Sequence, residues 1–249
     1  MLFRLALIGL FCSLAATAKK TPLRILALGD SITYGYDEPS GNSYRRAVEC
    51  LLHHDGYPVE FIGSVKNGNW ENNESDAFNL NTTDQILVHA KPELTRPISQ
   101  PNAIFLHAGT VNFVVGVNVT NAACRLAHLI DFITEHNPTT LLAVAQLIPN
   151  ANATVNSLID QYNARIPGLV SSRVQAGRRI VLVPMDGVKA DDLPDGTHPN
   201  AYGYHIMARH WHEAVVKADG DGILGPARGS FVDKGRSSLP VSGNCSVLD

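Results

Sequence analysis

The strongest constraint on the fold is the form of the apolar runs. Leu23-Arg24-Ile25-Leu26-Ala27-Leu28, Val59–Ile62, Ala103–His107, Leu141–Leu147 and Ile180–Pro184 are short and mostly continuous rather than alternating. A strand with one wet face alternates polar and apolar residues, whereas a continuous run reads as a strand covered on both faces. Helical segments fall between the runs: Tyr44–His54, Asn121–His136, a long one from Ala153 towards Ala176, and Asn200–Lys217. The second puts Leu126, Leu129, Ile130 and Ile133 on one stripe. Pro167 and Gly168 kink or break the third. This alternation of strand and helix predicts an α/β fold with a parallel, doubly wound sheet. Gly68–Thr83 is rich in Asn and reads as a surface loop, and Asp219–Asp249 reads as a loosely packed polar tail.

The first 18 residues do not belong to that fold. Arg4 supplies a positive charge, Leu5 to Leu14 a short apolar core, and Ala16-Thr17-Ala18 a small-residue cleavage site. Together they read as a secretory signal peptide, too short to span a bilayer. The expected division is therefore a signal over 1–18, one folded domain over 19–218 and a tail over 219–249. Asn-x-Ser/Thr sequons at Asn73, Asn81, Asn118, Asn152 and Asn244 are acceptors for N-glycans in a secreted chain. Formal charge is −3 with no basic stripe, which argues against a nucleic-acid partner. Beyond the signal the cysteines are Cys50, Cys124 and Cys245, an odd set that allows one intrachain disulfide. A polar tail in an oxidising compartment gains from a staple, so Cys245 is expected to pair with Cys124 or Cys50.

Two motifs at opposite ends of the chain carry the chemistry. Gly29-Asp30-Ser31-Ile32-Thr33 follows the first strand, so Ser31 lies in the turn at its C-terminal end, where open α/β sheets place their ligands. Asp195-Gly196-Thr197-His198-Pro199 puts a carboxylate three residues before an imidazole. Asp195 can reach one ring nitrogen of His198 and leave the other facing a serine hydroxyl, the arrangement of a Ser-His-Asp hydrolase. Asp30 reads as a turn-stabilising residue bonded to local backbone. His205, His210 and His212 are not spaced as a metal-binding pair at i and i+4, and no metal or organic cofactor is expected. Asp219-Gly220-Asp221-Gly222 lacks the later acidic ligand of a calcium loop. His107 reads as packed beneath the third-strand loop. Trp70 reads either as a sugar-stacking ring at the site mouth or as an ordinary surface aromatic.

With Phe61-Ile62-Gly63-Ser64 after the second strand and His107-Ala108-Gly109-Thr110 after the third, the four blocks come in the order of the SGNH (GDSL) hydrolases. The chain resembles that superfamily over roughly Leu23 to Lys217, and most of all the secreted fungal esterases grouped with carbohydrate esterase family three, the acetyl xylan esterase-like branch. The resemblance implies a flavodoxin-like, three-layer α/β/α fold with a five-stranded parallel sheet. It implies Ser31 as nucleophile, His198 as general base and Asp195 as its orienter. It also implies the backbone amides of Ser31 and Gly63 as oxyanion donors. A glycine after a strand lets backbone approach a developing charge closely, in keeping with that role.

Two blocks depart from the pattern. The family's third block reads Gly-x-Asn, with the Asn side chain as third oxyanion donor. Here an ungapped reading of Gly109-Thr110-Val111-Asn112-Phe113 puts Val111 there, while a slip by one residue would bring in Asn112. The ungapped register continues through Gly116 into Arg125-Leu126 and favours Val111. Before Asp84-Gln85-Ile86, where the carbohydrate esterase branch carries a His-Glu-Gly-like motif, this chain reads Asp76-Ala77-Phe78-Asn79-Leu80-Asn81. The expected activity is a secreted serine esterase that removes acyl groups, acetyl foremost, from carbohydrate. The alternatives are a weakly active or non-catalytic relative that binds a glycan or acylated ligand, and a lysophospholipase-like lipid esterase.

Overall fold

The computed structural model describes residues 19–95 and 100–234. The expected signal segment, Asn244 and Cys245 lie outside the described residues. In chain order the elements are β1 (Leu23–Gly29), α1 (Ser31–Tyr34), α2 (Ser43–His54), β2 (Val59–Ile62), β3 (Val65–Lys66), β4 (Glu74–Ala77) and α3 (Thr83–Leu94). There follow β5 (Ala103–His107), α4 (Thr110–Val114), α5 (Ala122–His136), β6 (Leu141–Ala145), α6 (Ala153–Asn163), α7 (Ile166–Gln175), β7 (Ile180–Val183) and α8 (Ala201–Gly220).

All five expected strands form and pair in parallel, in the spatial order β2-β1-β5-β6-β7. That is the doubly wound order of flavodoxin-like sheets. Among the described residues the sheet has seven strands rather than five. β4 pairs with Leu28 and Gly29 at the C-terminal end of β1, beyond the stretch Leu23–Leu26 that β2 covers, and β3 returns antiparallel beside it. The segment expected as a surface loop therefore contains a strand, with Ser75, Asp76 and Ala77 buried. α3 was not among the expected helices, although Thr82 and Gln85 form a reciprocal capping box at its start.

Continuity of the apolar runs has a simple origin. In β1, Ile25 and Ala27 join the core beneath α2 and α8, while Leu26 and Leu28 join the core beneath α3, α5, α6 and α7. Each side chain points to the opposite face from its neighbour, and both faces are dry. On the first face Trp211 of α8 stacks on Phe105 at 4.6 Å and contacts Tyr44 of α2 at 5.4 Å. Trp211 is fully buried, and truncating such a ring typically costs about 3–5 kcal/mol. This contact seats the helix that follows the His198 loop. On the second face Leu126, Leu129, Ile130 and Ile133 of α5 are buried, the stripe expected from sequence. The long helical segment divides into α6 and α7, with Pro167 in the first turn of the latter.

α8 runs to Gly220, two residues past the expected boundary, and the chain beyond it is tied down as far as Lys234. Buried Arg24 pairs with Glu60 at 2.8 Å and donates to the carbonyls of Arg228 and Ser230. Asn102 donates to the carbonyl of Gly225 at 2.8 Å. Cys50 is disulfide-bonded, while Cys124 is exposed with a free thiol. Cys124 is thus removed as a partner for Cys245, and the partner of Cys50 lies outside the described residues. Among the described residues, no helix is long and apolar enough to cross a membrane.

Candidate active site

β1 delivers Ser31 to the C-terminal edge of the sheet as the first residue of α1. Asp30 caps this helix, its carboxylate accepting from the Ile32 N–H at 3.1 Å. Full burial pushes the Asp30 carboxyl up to about 6, against the opposing pull of the Ile32 N–H and nearby His198. The turn is tight: a Cβ on Gly29 would lie 2.2 Å from Thr33 Oγ1 and 2.8 Å from the His107 carbonyl. α2 clamps the other end of α1, with Ser43 Oγ donating to the Thr33 carbonyl at 3.0 Å and Tyr44 Oη to Thr33 Oγ1 at 3.2 Å.

The His198 loop arrives from the opposite end of the chain. Asn150 Nδ2 donates to Thr197 Oγ1 at 3.0 Å, and the Ala151 N–H to the Gly196 carbonyl at 2.9 Å. Within the loop one Asp195 oxygen accepts the N–H groups of Thr197 and His198 at 2.9 and 2.7 Å. The other lies 2.5 Å from His198 Nδ1. Partial burial pushes the Asp195 carboxyl up, but these bonds win and hold it below the usual carboxylate range. On its far side the imidazole places Nε2 2.8 Å from Ser31 Oγ. Ser31, His198 and Asp195 therefore stand in one hydrogen-bonded line, the first two 167 positions apart in sequence.

Gly63 follows β2 and takes φ +154°, and a Cβ there would lie 2.2 Å from the backbone carbonyl of Ser75. No other residue fits that approach without displacement. The turn is held by Asp76 of β4, whose buried carboxylate accepts the Ser64 N–H at 2.7 Å and the Ser64 hydroxyl at 2.8 Å. The Ser31 N–H, in the first turn of a helix, has no intrahelical acceptor.

Asn112 is fully buried, and its side chain is committed elsewhere. Its oxygen accepts from the N–H and hydroxyl of Thr83, each at 3.0 Å, and its nitrogen donates to the Val117 carbonyl at 3.0 Å. Its inclusion among the oxyanion donors is corrected accordingly: Asn112 fastens the start of α3 to the chain after α4. Val111, one position earlier, is buried. Apolar though it is, Val111 belongs to neither hydrophobic core.

Three residues near this site escaped sequence reasoning or were read differently. Asp76 lay in the supposed loop, and its burial had no local signal. Trp70 is 5% exposed and packs against the Arg45 guanidinium at 5.1 Å, so it offers no open face. The aromatic beside the site is Tyr36, half exposed, its ring 5.0 Å from that of His198. His107 is fully buried at the end of β5, and neither ring nitrogen has a hydrogen-bond partner among the described residues. Burial lowers its pKa to about 4, so the ring is neutral.

The chain is similar to known proteins in sequence and in fold. The chain is 26% identical over 252 residues to a multidomain esterase from Ruminococcus flavefaciens, covering 86% of this chain. It spans 31% and 50% of the lengths of the curated relatives it matches. Among solved structures, a family 3 carbohydrate esterase from Clostridium thermocellum superposes with a TM-score of 0.69 at 25% identity, covering 82% of this chain and all of that one. A carbohydrate esterase family 3 protein from Talaromyces cellulolyticus shares the fold, with a TM-score of 0.66 at 19% identity over 80% of this chain and 99% of that one. Residues 27–206, from β1 through the first turns of α8 and so across all the blocks assembled above, match the GDSL-like Lipase/Acylhydrolase family, and to that family the chain belongs.

Proposed function

We propose that this chain is a serine carboxylic-ester hydrolase that removes small acyl groups, acetyl foremost, from carbohydrate. The observation that carries the reading is the unbroken line from Asp195 Oδ2 through His198 to Ser31 Oγ, at 2.5 and 2.8 Å. A serine hydroxyl is a poor nucleophile until a base takes its proton. In the proposed reaction His198 Nε2 takes that proton as Oγ bonds to the ester carbonyl carbon. The N–H groups of Ser31 and Gly63 donate to the resulting oxyanion. Asp195 keeps Nδ1 protonated and stabilises the imidazolium. The carbon–alkoxy bond then breaks, and the proton passes from Nε2 to the leaving alcohol. Water, deprotonated by the same nitrogen, attacks the acyl-serine to release the acid and restore Ser31.

Carbohydrate is favoured as substrate by the similarity to carbohydrate esterases. Secretion is supported by the signal-like first 18 residues and by the disulfide at Cys50, since such bonds persist in oxidising compartments. In a secreted chain the exposed Asn118 and Asn152 are the sequon residues best placed to carry N-glycans. Val111 in place of a donor favours a second reading, a slow enzyme that binds better than it turns over. Hydrolysis of p-nitrophenyl acetate by the purified protein, lost in a folded Ser31→Ala variant, tests the assignment. Undiminished turnover in that variant would overturn it.

A further inference from the structure

Asp30 is fully buried between Gly29 and Ser31, and the proposed hydrolysis gives it no part. One carboxylate oxygen accepts the Ile32 N–H at 3.1 Å, and the other has no hydrogen-bond partner among the described residues. Capping does not require a charge, because Asn and Ser cap helices about as well as Asp. A carboxylate shut away from water with one hydrogen bond is costly, and Asn would cap α1 without that cost. What Asp alone supplies here is a negative charge next to Ser31. Resting on the esterase reading, we infer that Asp30 is a positioning residue for the reaction: its buried charge acts through His198 and strengthens the base that takes the Ser31 proton.

The groups that face Asp30 come from each element packed around it. Burial above all, and the Asp30 charge after it, keep the hydroxyls of Tyr44 in α2, Tyr162 in α6 and Tyr204 in α8 protonated. Tyr44 Oη donates to Thr33 Oγ1 and Tyr162 Oη to the Ala108 carbonyl, so neither donates to Asp30. The Thr110 hydroxyl of α4 lies beside the carboxyl but outside hydrogen-bond geometry. His107, which pairs with Gly29 across β1 and β5, is neutral. Two fixed charges stand behind these groups: Arg45 faces Tyr44 and Tyr204, and Glu38 faces Tyr204. Neither changes charge as an ester reacts. His198 does: it becomes cationic only as Ser31 loses its proton, so the attraction between Asp30 and His198 is the one that grows along the reaction.

That attraction is mutual. Imidazolium at His198 draws the Asp30 carboxyl down against the larger upward push of burial, and ionised Asp30 favours imidazolium to the same extent. Both Asp30 and Ser31 are buried, and charges interact more strongly there than in water. Asp195 touches the ring at Nδ1, whereas Asp30 acts from the residue next to the serine that meets Nε2. One carboxylate orients the imidazole by contact, and the other adds to its basicity from a distance.

The test uses Asp30→Asn and Asp30→Ser, which keep a capping oxygen and remove the charge. At pH 8, where Asp30 is ionised, Asp30→Asn should unfold at or above the wild-type temperature, because a buried charge is gone. In both variants kcat on p-nitrophenyl acetate should nevertheless fall about 10-fold, the equivalent of one pH unit of base strength. A purely structural role predicts the reverse pairing, with turnover kept wherever the cap is kept. The acidic limb of the kcat/KM profile should move to lower pH by about one unit, since nothing at position 30 then favours imidazolium. Carboxyl carbon-13 NMR reads the same coupling without turnover: Asp30 should titrate at about 6 in wild type and at higher pH in His198→Gln. That upward shift in a protein that hydrolyses no ester would reject the esterase reading and leave the Asp30–His198 coupling in place. Undiminished or raised turnover in folded Asp30→Asn, an unmoved acidic limb, or an Asp30 titration indifferent to His198 would overturn the inference.

Discussion

The side-chain oxygen of Asn112 accepts two hydrogen bonds from Thr83, one from its N–H and one from its hydroxyl, each at 3.0 Å. Asn112 is therefore a fastening between α4 and α3, and under the proposed ungapped register Val111 takes the donor position of the block. Val111→Asn is expected to raise kcat on p-nitrophenyl acetate by about 10-fold, less than the 10²–10³ that a tuned donor supplies. Asn112→Ala should instead lower stability by about 1–3 kcal/mol, because it leaves the buried Thr83 N–H without its acceptor. Urea unfolding alongside steady-state kinetics separates the two effects. Unchanged kcat in Val111→Asn, with a large kcat loss in a stable Asn112→Ala, would reverse the roles.

Gly63 is expected to tolerate no side chain. In Gly63→Ala the new Cβ meets the Ser75 backbone, which cannot swing aside as a flexible side chain would. Displacing the Gly63 N–H should lower kcat by about 10²–10³, the scale of one lost oxyanion donor. KM should change far less, since the interaction forms chiefly in the transition state. A kcat/KM split that falls on KM alone would contradict this.

Asp195→Asn should preserve the fold and lower kcat by about 10⁴-fold, the scale seen when the orienting acid of such a triad becomes an amide. The amide can still accept from the Thr197 and His198 N–H groups, so the loop should keep its shape. It no longer enforces the protonated Nδ1 or stabilises the imidazolium. Near-wild-type turnover in the folded variant would remove Asp195 from the mechanism.

His107 makes stability pH-dependent in a specific direction. Its folded pKa is about 4, below the ordinary 6.5 of an unfolded histidine. The unfolded chain therefore binds the extra proton first as pH falls. The stabilisation is present above pH 6.5 and is lost towards pH 4, on the order of 3 kcal/mol in all. Asp30 at about 6 and Glu49 at about 7, both raised by burial, act in the opposite sense. The measurement is thus the difference between wild type and His107→Gln. The unfolding free energy of wild type relative to the variant should decline from pH 7 to 4.

The two cysteines in the described residues should behave differently. Cys124 is exposed and free, so maleimide should label it in the native protein. Cys50 is buried and bonded, so it should label only after reduction and unfolding. Cys50→Ser should cost about 2–4 kcal/mol. Peptide mapping without reduction identifies the partner, expected to be Cys245. A native protein with both thiols labelled would refute the pairing.

The chain's local patterns determined the sheet and the hydrogen-bonded line of Ser31, His198 and Asp195. Runs such as Leu23–Leu28 are apolar at every step but Arg24, and the dry faces on both sides of β1 leave few other folds open. Ser31 and the Asp195–His198 loop were legible because each lies in a short motif whose internal geometry is local, as the Asp195–His198 contacts illustrate. What the sequence left open depended on partners supplied from a distance. β4 reads as polar loop because Glu74, Ser75 and Asp76 carry no apolar signature; the burial of Asp76 is matched by two hydrogen bonds from Ser64. Trp70 and Tyr36 are both aromatic, and only the Arg45 guanidinium packed on one and the His198 ring beside the other decide which lies at the candidate site. The tail looked unattached until Arg24, itself buried inside β1, turned its guanidinium to the carbonyls of Arg228 and Ser230. Periodicity reports how a residue relates to its near neighbours, whereas a buried polar group is stable only where the folded chain brings its partner, and that meeting is a property of the tertiary structure.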